Sequence, residues 1–237
     1  MLTDEKLLEM AQNEIDIKVQ AYKGVKVSTI KKEILELTLL DNKASFVELS
    51  KKMLSLKSNQ FFLCDEKIDA VLKTVRITGN EKPAESMSFM PIDFQEWVSC
   101  GSWEDNSLYR YFKKKTLVLF IFQQYPLGQR VADDEMTFLD AVVWKMTDYD
   151  INNGLKEVWE EVCRLINTGE LEITPTRQKS GKIINKNNLP SAKFNYLGHL
   201  RPGGVNGEDK TKLPTGQYLV KQRFWFNKEY VNEIIER

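Results

Sequence analysis

One short stretch, GHLRPGGVNG at residues 198–207, carries the only histidine of a 237-residue chain and, two positions on, an arginine set against a proline and two glycines. Pro202 fixes a backbone dihedral and removes an amide donor, while Gly203 and Gly204 permit positive φ and close approach by another molecule. A turn of this kind projects side chains outward, so Arg201 presents a guanidinium to whatever the chain meets. One histidine excludes a histidine-rich metal site. Cys64, Cys100 and Cys163 are far apart, odd in number and free of any CxxC spacing, which argues against a zinc cluster or a disulfide framework.

Overall the charges cancel, 34 Lys or Arg against 34 Asp or Glu, which alone argues against a polyanionic ligand. Their distribution argues for one. Thr176 to Lys228 holds eleven Lys or Arg and only two acids, Glu208 and Asp209, whereas the first 175 residues hold 22 basic and 29 acidic side chains. An acidic body with a basic C-terminal quarter is the electrostatic footprint of a polyanion-binding face; the alternative is a lysine-rich surface that serves solubility.

These side chains need elements to hold them. With 42% hydrophobic and 29% charged residues, the composition is that of a soluble globular protein long enough for one well-buried core. No stretch approaches the roughly 20 apolar residues that span a bilayer. The opening MLTDEKLLEMAQ is acidic where a secretory signal is basic and then apolar, so a cytoplasmic location is expected. Residues 4–57 have near-helical apolar spacing in DEKLLEMAQNEIDIKVQAY and VSTIKKEILELTLL, and Ser45 or Asn42 can cap FVELSKKMLSL. The period then changes. KIDAVLKTVRI (67–77), SMSFMPI (86–92), TLVLFIFQQY (116–125) and MTFLDAVVWKM (136–146) read as strands, the third a continuous apolar run suited to a buried centre. INNGLKEVWEEVCRLINTGE is a regular amphipathic helix ended by Gly169. TPTRQKSGKIINKNNLPSAKF reads as a hairpin or surface loop, NYLGHLRP and QYLVKQRFWFN as paired strands, and NKEYVNEIIER as a closing helix.

The ordered pattern GHLRPGGVNG…LPTGQYLVKQRFWFN resembles the MutH-type nucleases, and more closely the tandem restriction endonucleases that cut GATC and contain two MutH-like halves. Their signature is a strand ending in Arg-Pro, a small-residue loop with an Asn, a Leu-Pro-x-Gly turn, and a strand with Lys followed by an aromatic. It is met here by Arg201, Pro202, Asn206, Leu213, Pro214, Gly216, Lys221, Phe224 and Trp225. The helix around Trp159 with TGELEIT after it fits, as does VLKTV leading into ESMSF.

The resemblance implies an α/β fold, a mixed sheet flanked by helices in a restriction-endonuclease-like, MutH-like clamp. Residues 1–58 would form a helical N-terminal arm and residues 59–237 a DNA-binding domain whose basic subregion, about 176–228, reads the duplex. Arg201 would enter the major groove and bond guanine O6 and N7 bidentately, with Pro202 and Gly203 holding the turn and Asn206 completing the loop. Lys221 and Arg223, of one strand parity, and Tyr218 are candidates for backbone or groove contacts. His199, near Leu197 and Leu200, is read as structural, with a phosphate contact as the alternative. Phe224, Trp225 and Phe226 are read as mostly core.

In that family an upstream Asp and a strand Glu-x-Lys hold Mg²⁺ and position the attacking water. CDEKIDAVLKT supplies the lysine as Lys73, but the position two before it is Val71, which cannot ligate a metal. Asp65 lies one residue short of the usual spacing of the upstream acid, and Asp69 would share Val71's strand face and is the substitute carboxylate. The centre is therefore read as degenerate, with no catalytic residue or metal assigned to this chain and Mg²⁺ left to the parent nuclease. The implied function is GATC-type duplex binding by the non-catalytic, regulatory half of a type II restriction endonuclease. Its implied partners are double-stranded DNA and the catalytic N-terminal half, with dimerisation on DNA. The alternatives are an active Mg²⁺-dependent nuclease using a displaced carboxylate, and a protein-interaction domain that has lost DNA binding.

Overall fold

Thr3 starts the first helix by accepting a hydrogen bond from the Lys6 amide, and α1 (Asp4–Val19) then buries Ala11, Ile15 and Val19 along one face. A computed structural model describes residues 3–36, 43–124, 132, 136–177, 179, 181 and 183–236. The chain divides into two compact units, Met1–Glu85 with Lys114–Met146 and Asn232–Arg237, and Ser86–Lys113 with Thr147–Val231.

In the first unit α1 is followed by α2 (Val27–Thr29), which widens into a π-helical turn over Ile30–Ile34, and by α3 (Lys43–Met53). Ser45 lies inside α3 rather than at its cap; Asn42 and residues 37–40 of the second expected helix lie outside the described residues. Two strands come next, β1 (Gln60–Leu63) and β2 (Ile68–Ile77). After β3 (Met87–Pro91), α4 (Phe94–Ser99) and α5 (Ser107–Lys114), the unit resumes with β4 (Thr116–Gln124) and β5 (Met136–Trp144). The sheet order is β1-β2-β4-β5, with β2 and β4 parallel and the other pairs antiparallel.

Strand parity decides the packing. Ile68, Ala70 and Leu72 of β2 and Val118, Phe120 and Phe122 of β4 share one core with Ile15, Leu49 and Met53 of the helices. Gln12 fastens α1 to β5, donating to the Ala141 carbonyl at 2.9 Å and accepting from the Val143 amide at 2.7 Å. The boundary expected at residue 58 falls between α3 and β1, both within this unit. β4 is buried on both faces along nearly its whole length, as its continuous apolar sequence requires.

The second unit contains α6 (Asp148–Asp150) with a π-helical turn over Ile151–Leu155, and α7 (Lys156–Asn167). Its strands are β3, β6 (Ile173–Arg177), β7 (Ile183–Asn187), β8 (Gly198–Pro202), β9 (Lys210–Lys212), β10 (Tyr218–Val220) and β11 (Gln222–Phe226), and α8 (Lys228–Glu236) ends the described chain. β3, β11 and β8 form an antiparallel sheet in that order, while β6–β7 and β9–β10 are separate two-stranded hairpins. Phe224 and Phe226 point together into an aromatic cluster with Phe89, Phe112 and Tyr230, ring centroids 4.4–6.2 Å apart.

The fold is thus mixed α/β with a mixed sheet flanked by helices, as expected, and is consistent with a restriction-endonuclease-like architecture. Two details differ from the sequence reading, and a third decides between its alternatives. β1, α4 and α5 were not expected; they are short, and α4 owes its start to Asp93, whose carboxylate accepts from the Gln95 and Glu96 amides. Of the two readings of residues 174–194, the hairpin is the one that forms. QYLVKQRFWFN is two strands, because Lys221 donates its amide to Asp209 and gives its carbonyl to Gly203, which takes it out of the ladder. The shared parity of Lys221 and Arg223 therefore does not place them on one face.

Candidate functional site

β8 and β11 pair so that Arg223 stands opposite Arg201, Trp225 opposite His199 and Gln222 opposite Pro202. Residues 199, 201, 223 and 225 thus share one face, and exposure along it rises towards the loop, from buried His199 to exposed Arg201. The Arg201 guanidinium lies over the Trp225 ring, 4.9 Å from its centroid. Two arginines directly opposed across a ladder repel, and among the described residues no carboxylate pairs with either. The Arg223 Nε is buried without a hydrogen-bond partner among them. The fold therefore holds a pair of cations together that an anionic ligand would relieve.

The loop after Pro202 is wired from within. Gly203 donates its amide to the Lys221 carbonyl at 2.8 Å, and a Cβ at Gly203 would collide with the Arg223 side chain, so only glycine lets the loop cross there. Asn206 Oδ1 accepts from the amides of Glu208 at 2.8 Å and Asp209 at 3.2 Å. Asp209 in turn accepts from the Val205 amide at 3.0 Å and from Lys221 Nζ at 2.6 Å. These two bonds hold the Asp209 carboxyl below its ordinary range, the Lys221 ammonium contributing most. Asn206 and Lys221 thus brace the loop. Val205, at its tip, is 92% exposed, and Tyr218 on β10 is 60% exposed.

His199 is 2% exposed, and its Nδ1 lies 2.5 Å from Asn227 Oδ1. The Asn227 amide nitrogen donates to the carbonyls of Ala192, Asn195 and Tyr196, which turns its oxygen to the ring. Nδ1 is therefore the protonated nitrogen. Burial pushes the imidazole below its ordinary value; the Asn227 bond opposes this and the nearby Arg201 charge adds to it. This geometry suits a structural residue that joins β8 to the 192–196 segment.

The acidic residues of the β1–β2 region do not converge. Asp65 sits in the hairpin turn, where Cys64, Asp65 and Glu66 all have positive φ, beyond the Leu63–Ile68 pair, which is itself three register steps from Val71. Asp69 is on Val71's face but pairs with Lys115 Nζ at 2.5 Å and with Lys114 Nζ at 3.4 Å. Lys115 stands immediately before β4, whose Thr116 is opposite Ala70, so the parallel register itself delivers the ammonium to Asp69. Val71 is 3% exposed, and Lys73, opposite Leu119, is half-buried. Among the described residues no three His, Cys, Asp or Glu come together as metal ligands. This donor set does not fit Mg²⁺: one position offers no lone pair, one carboxylate is already neutralised and the other is at a hairpin tip.

The chain is 27% identical over 196 residues to the type II restriction enzyme Sau3AI of Staphylococcus aureus. That alignment covers 72% of this chain and 39% of the enzyme, so the chain corresponds to less than half of its relative. No family model matches. The similarity supports a relationship to the type II restriction enzymes. Among the described residues no helix is long and apolar enough to cross a membrane.

Sequence reasoning named Arg201, Pro202, Gly203, Asn206, Tyr218, Lys221, Arg223 and His199. β8, the loop and β11 bring Arg201, Pro202, Gly203 and Arg223 together, with Asn206 and Lys221 as struts; Tyr218 is on the neighbouring hairpin and His199 is beneath the surface. It missed Val205 and Asp209. The signal for Val205 was its place as the one apolar residue between glycines and Asn206 in GGVNG.

Proposed function

We propose that this chain binds duplex DNA at GATC-type sites through the end of β8, the 203–209 loop and β11, as the non-catalytic regulatory half of a type II restriction endonuclease. The observation that carries the reading is the unpaired, directly opposed Arg201 and Arg223 beside a braced loop. An arginine held there by a stacked tryptophan has its planar donors free for guanine O6 and N7, a contact worth about 1–3 kcal/mol of discrimination. Val205, stiff at χ1 and exposed, is an apolar partner for a thymine C5-methyl group. Support for a relationship to restriction enzymes comes from the similarity to Sau3AI.

The non-catalytic part of the reading rests on Val71 and on Asp69, whose charge is taken up by Lys115. Lys73 then serves as a phosphate contact or a relic rather than as a positioner of water. The remainder of a longer enzyme, including a catalytic half and any Mg²⁺ it holds, is the implied partner. The test is a gel shift with GATC and scrambled duplexes, with and without Ca²⁺. Preferential retardation of the GATC duplex is expected, and equal affinity for both would remove the claim of sequence reading.

A further inference from the structure

Residues 173–207 contain six Lys or Arg and no Asp or Glu. Their first part is the β6–β7 hairpin, which among the described residues is clasped at its root. There Asn188 Oδ1 accepts from the Glu172 amide and its Nδ2 donates to the Glu170 carbonyl, both at 2.9 Å, while Leu171 and Leu189 are each 5% exposed. Beyond the root no strand residue is buried on either face. Thr174, Pro175, Arg177, Ile183 and Lys186 are exposed, and so is Lys179 in the turn. Among the described residues none of Arg177, Lys179 and Lys186 has an ion-pair partner. A two-stranded hairpin open on both faces is at best marginally stable in water, and nothing in its own sequence neutralises it.

We propose that the β6–β7 hairpin is an arm that grips the phosphate backbone of the duplex beside the site read by the 203–209 loop. This rests on the reading of the chain as a duplex-binding protein. Placement supports it: the Pro190 carbonyl, just past the hairpin's root, accepts from the Leu200 amide at 2.9 Å, one residue before Arg201. The root of the arm is therefore tied to the strand that carries the reading arginine, so a duplex seated on one would lie beside the other. The chemistry is that of backbone contacts rather than base readout, with cations at Arg177, Lys179 and Lys186 and hydroxyl or amide donors at Thr174 and Asn185. Each phosphate neutralised releases counterions, so the arm adds affinity that is independent of sequence and sensitive to salt.

The experiment compares the full chain with the Arg177→Ala, Lys179→Ala, Lys186→Ala triple variant by fluorescence anisotropy across a salt series. The probes are GATC and scrambled duplexes with long flanks, a GATC duplex trimmed to its site, and vesicles rich in anionic lipid. All three positions are exposed, and a thermal melt establishes that the fold is kept. The arm predicts equal losses on the two long duplexes, an unchanged GATC preference, and a plot of log affinity against log salt that flattens by about one per contact removed. It also predicts that the difference from wild type vanishes on the trimmed duplex. An unchanged salt slope, or a loss confined to vesicles, overturns the arm while leaving the wild-type preference for GATC standing. Failure of the wild type to bind any duplex overturns the underlying function instead. As a second variant, Arg177→Glu with Lys186→Glu must weaken duplex binding further than the alanines do, and equal or tighter binding also overturns the arm.

Discussion

Replacing Arg201 with alanine separates sequence reading from everything else the residue does. Two structural effects of the change oppose each other. Loss of the guanidinium over Trp225 removes a cation–π contact worth about 0.5–1 kcal/mol at an exposed site. Removal of a like charge directly opposite Arg223 returns a comparable amount, about 0.2–1 kcal/mol. Folding stability should therefore change by less than about 1 kcal/mol, a shift of no more than about 4 °C in Tm for a chain of this size. On the DNA side, losing one bidentate guanine contact costs about 1–3 kcal/mol, or about 5- to 150-fold in preference for GATC over a scrambled duplex. Anisotropy competition between the two duplexes measures that ratio directly, and Arg201→Lys should keep affinity without restoring the preference, because an ammonium lacks the planar fork. Equal losses on both duplexes would make Arg201 a phosphate contact and refute the assignment.

Other substitutions follow from the same geometry. Lys115→Met strands the Asp69 carboxylate, which is 13% exposed, with only the exposed Lys114 nearby, and should cost about 2 kcal/mol, read as a fall in Tm of about 4–8 °C that Asp69→Asn partly reverses. His199 is the sole histidine, so its ring resonances are assignable by inspection in a proton NMR titration. Burial lowers its folded-state pKa, so its contribution to stability is complete above the unfolded value of 6.5 and is lost as pH falls through that value towards the folded one. The NMR midpoint should lie below 6.5, and His199→Gln should flatten the dependence of Tm on pH there. Deoxyuridine in place of thymine in GATC should weaken wild-type binding about fourfold, from about 0.8 kcal/mol for a buried methyl, and leave Val205→Gly unaffected.

The architecture was legible wherever a segment's period matched one burial pattern. β4 announced itself as an apolar run and α7 as a stripe of Val158, Val162, Leu165 and Ile166 ended by Gly169, because central strands and amphipathic helices write their packing into composition. α4 and α5 did not, since six and eight residues are too few for a period to show. Arg201 was legible from its punctuation by Pro202 and Gly203. Its pairing with Arg223 and stacking on Trp225 were not, because cross-strand register depends on where β11 begins, and Lys221 hides that break. The lack of a carboxylate at Val71 could be read directly. That Asp69 is claimed by Lys115 could not, because the two are brought together only by the parallel pairing of β2 with β4.

Incubation of the pure chain with a GATC duplex in Mg²⁺, scored at once for retardation and for strand integrity, separates binding from cutting in one measurement. A retarded duplex, preferred over a scrambled one and with both strands intact, is the expected result. Retention of the duplex with nicking at GATC, abolished by Asp69→Asn or Asp65→Asn, would contradict it and make this chain a nuclease in its own right.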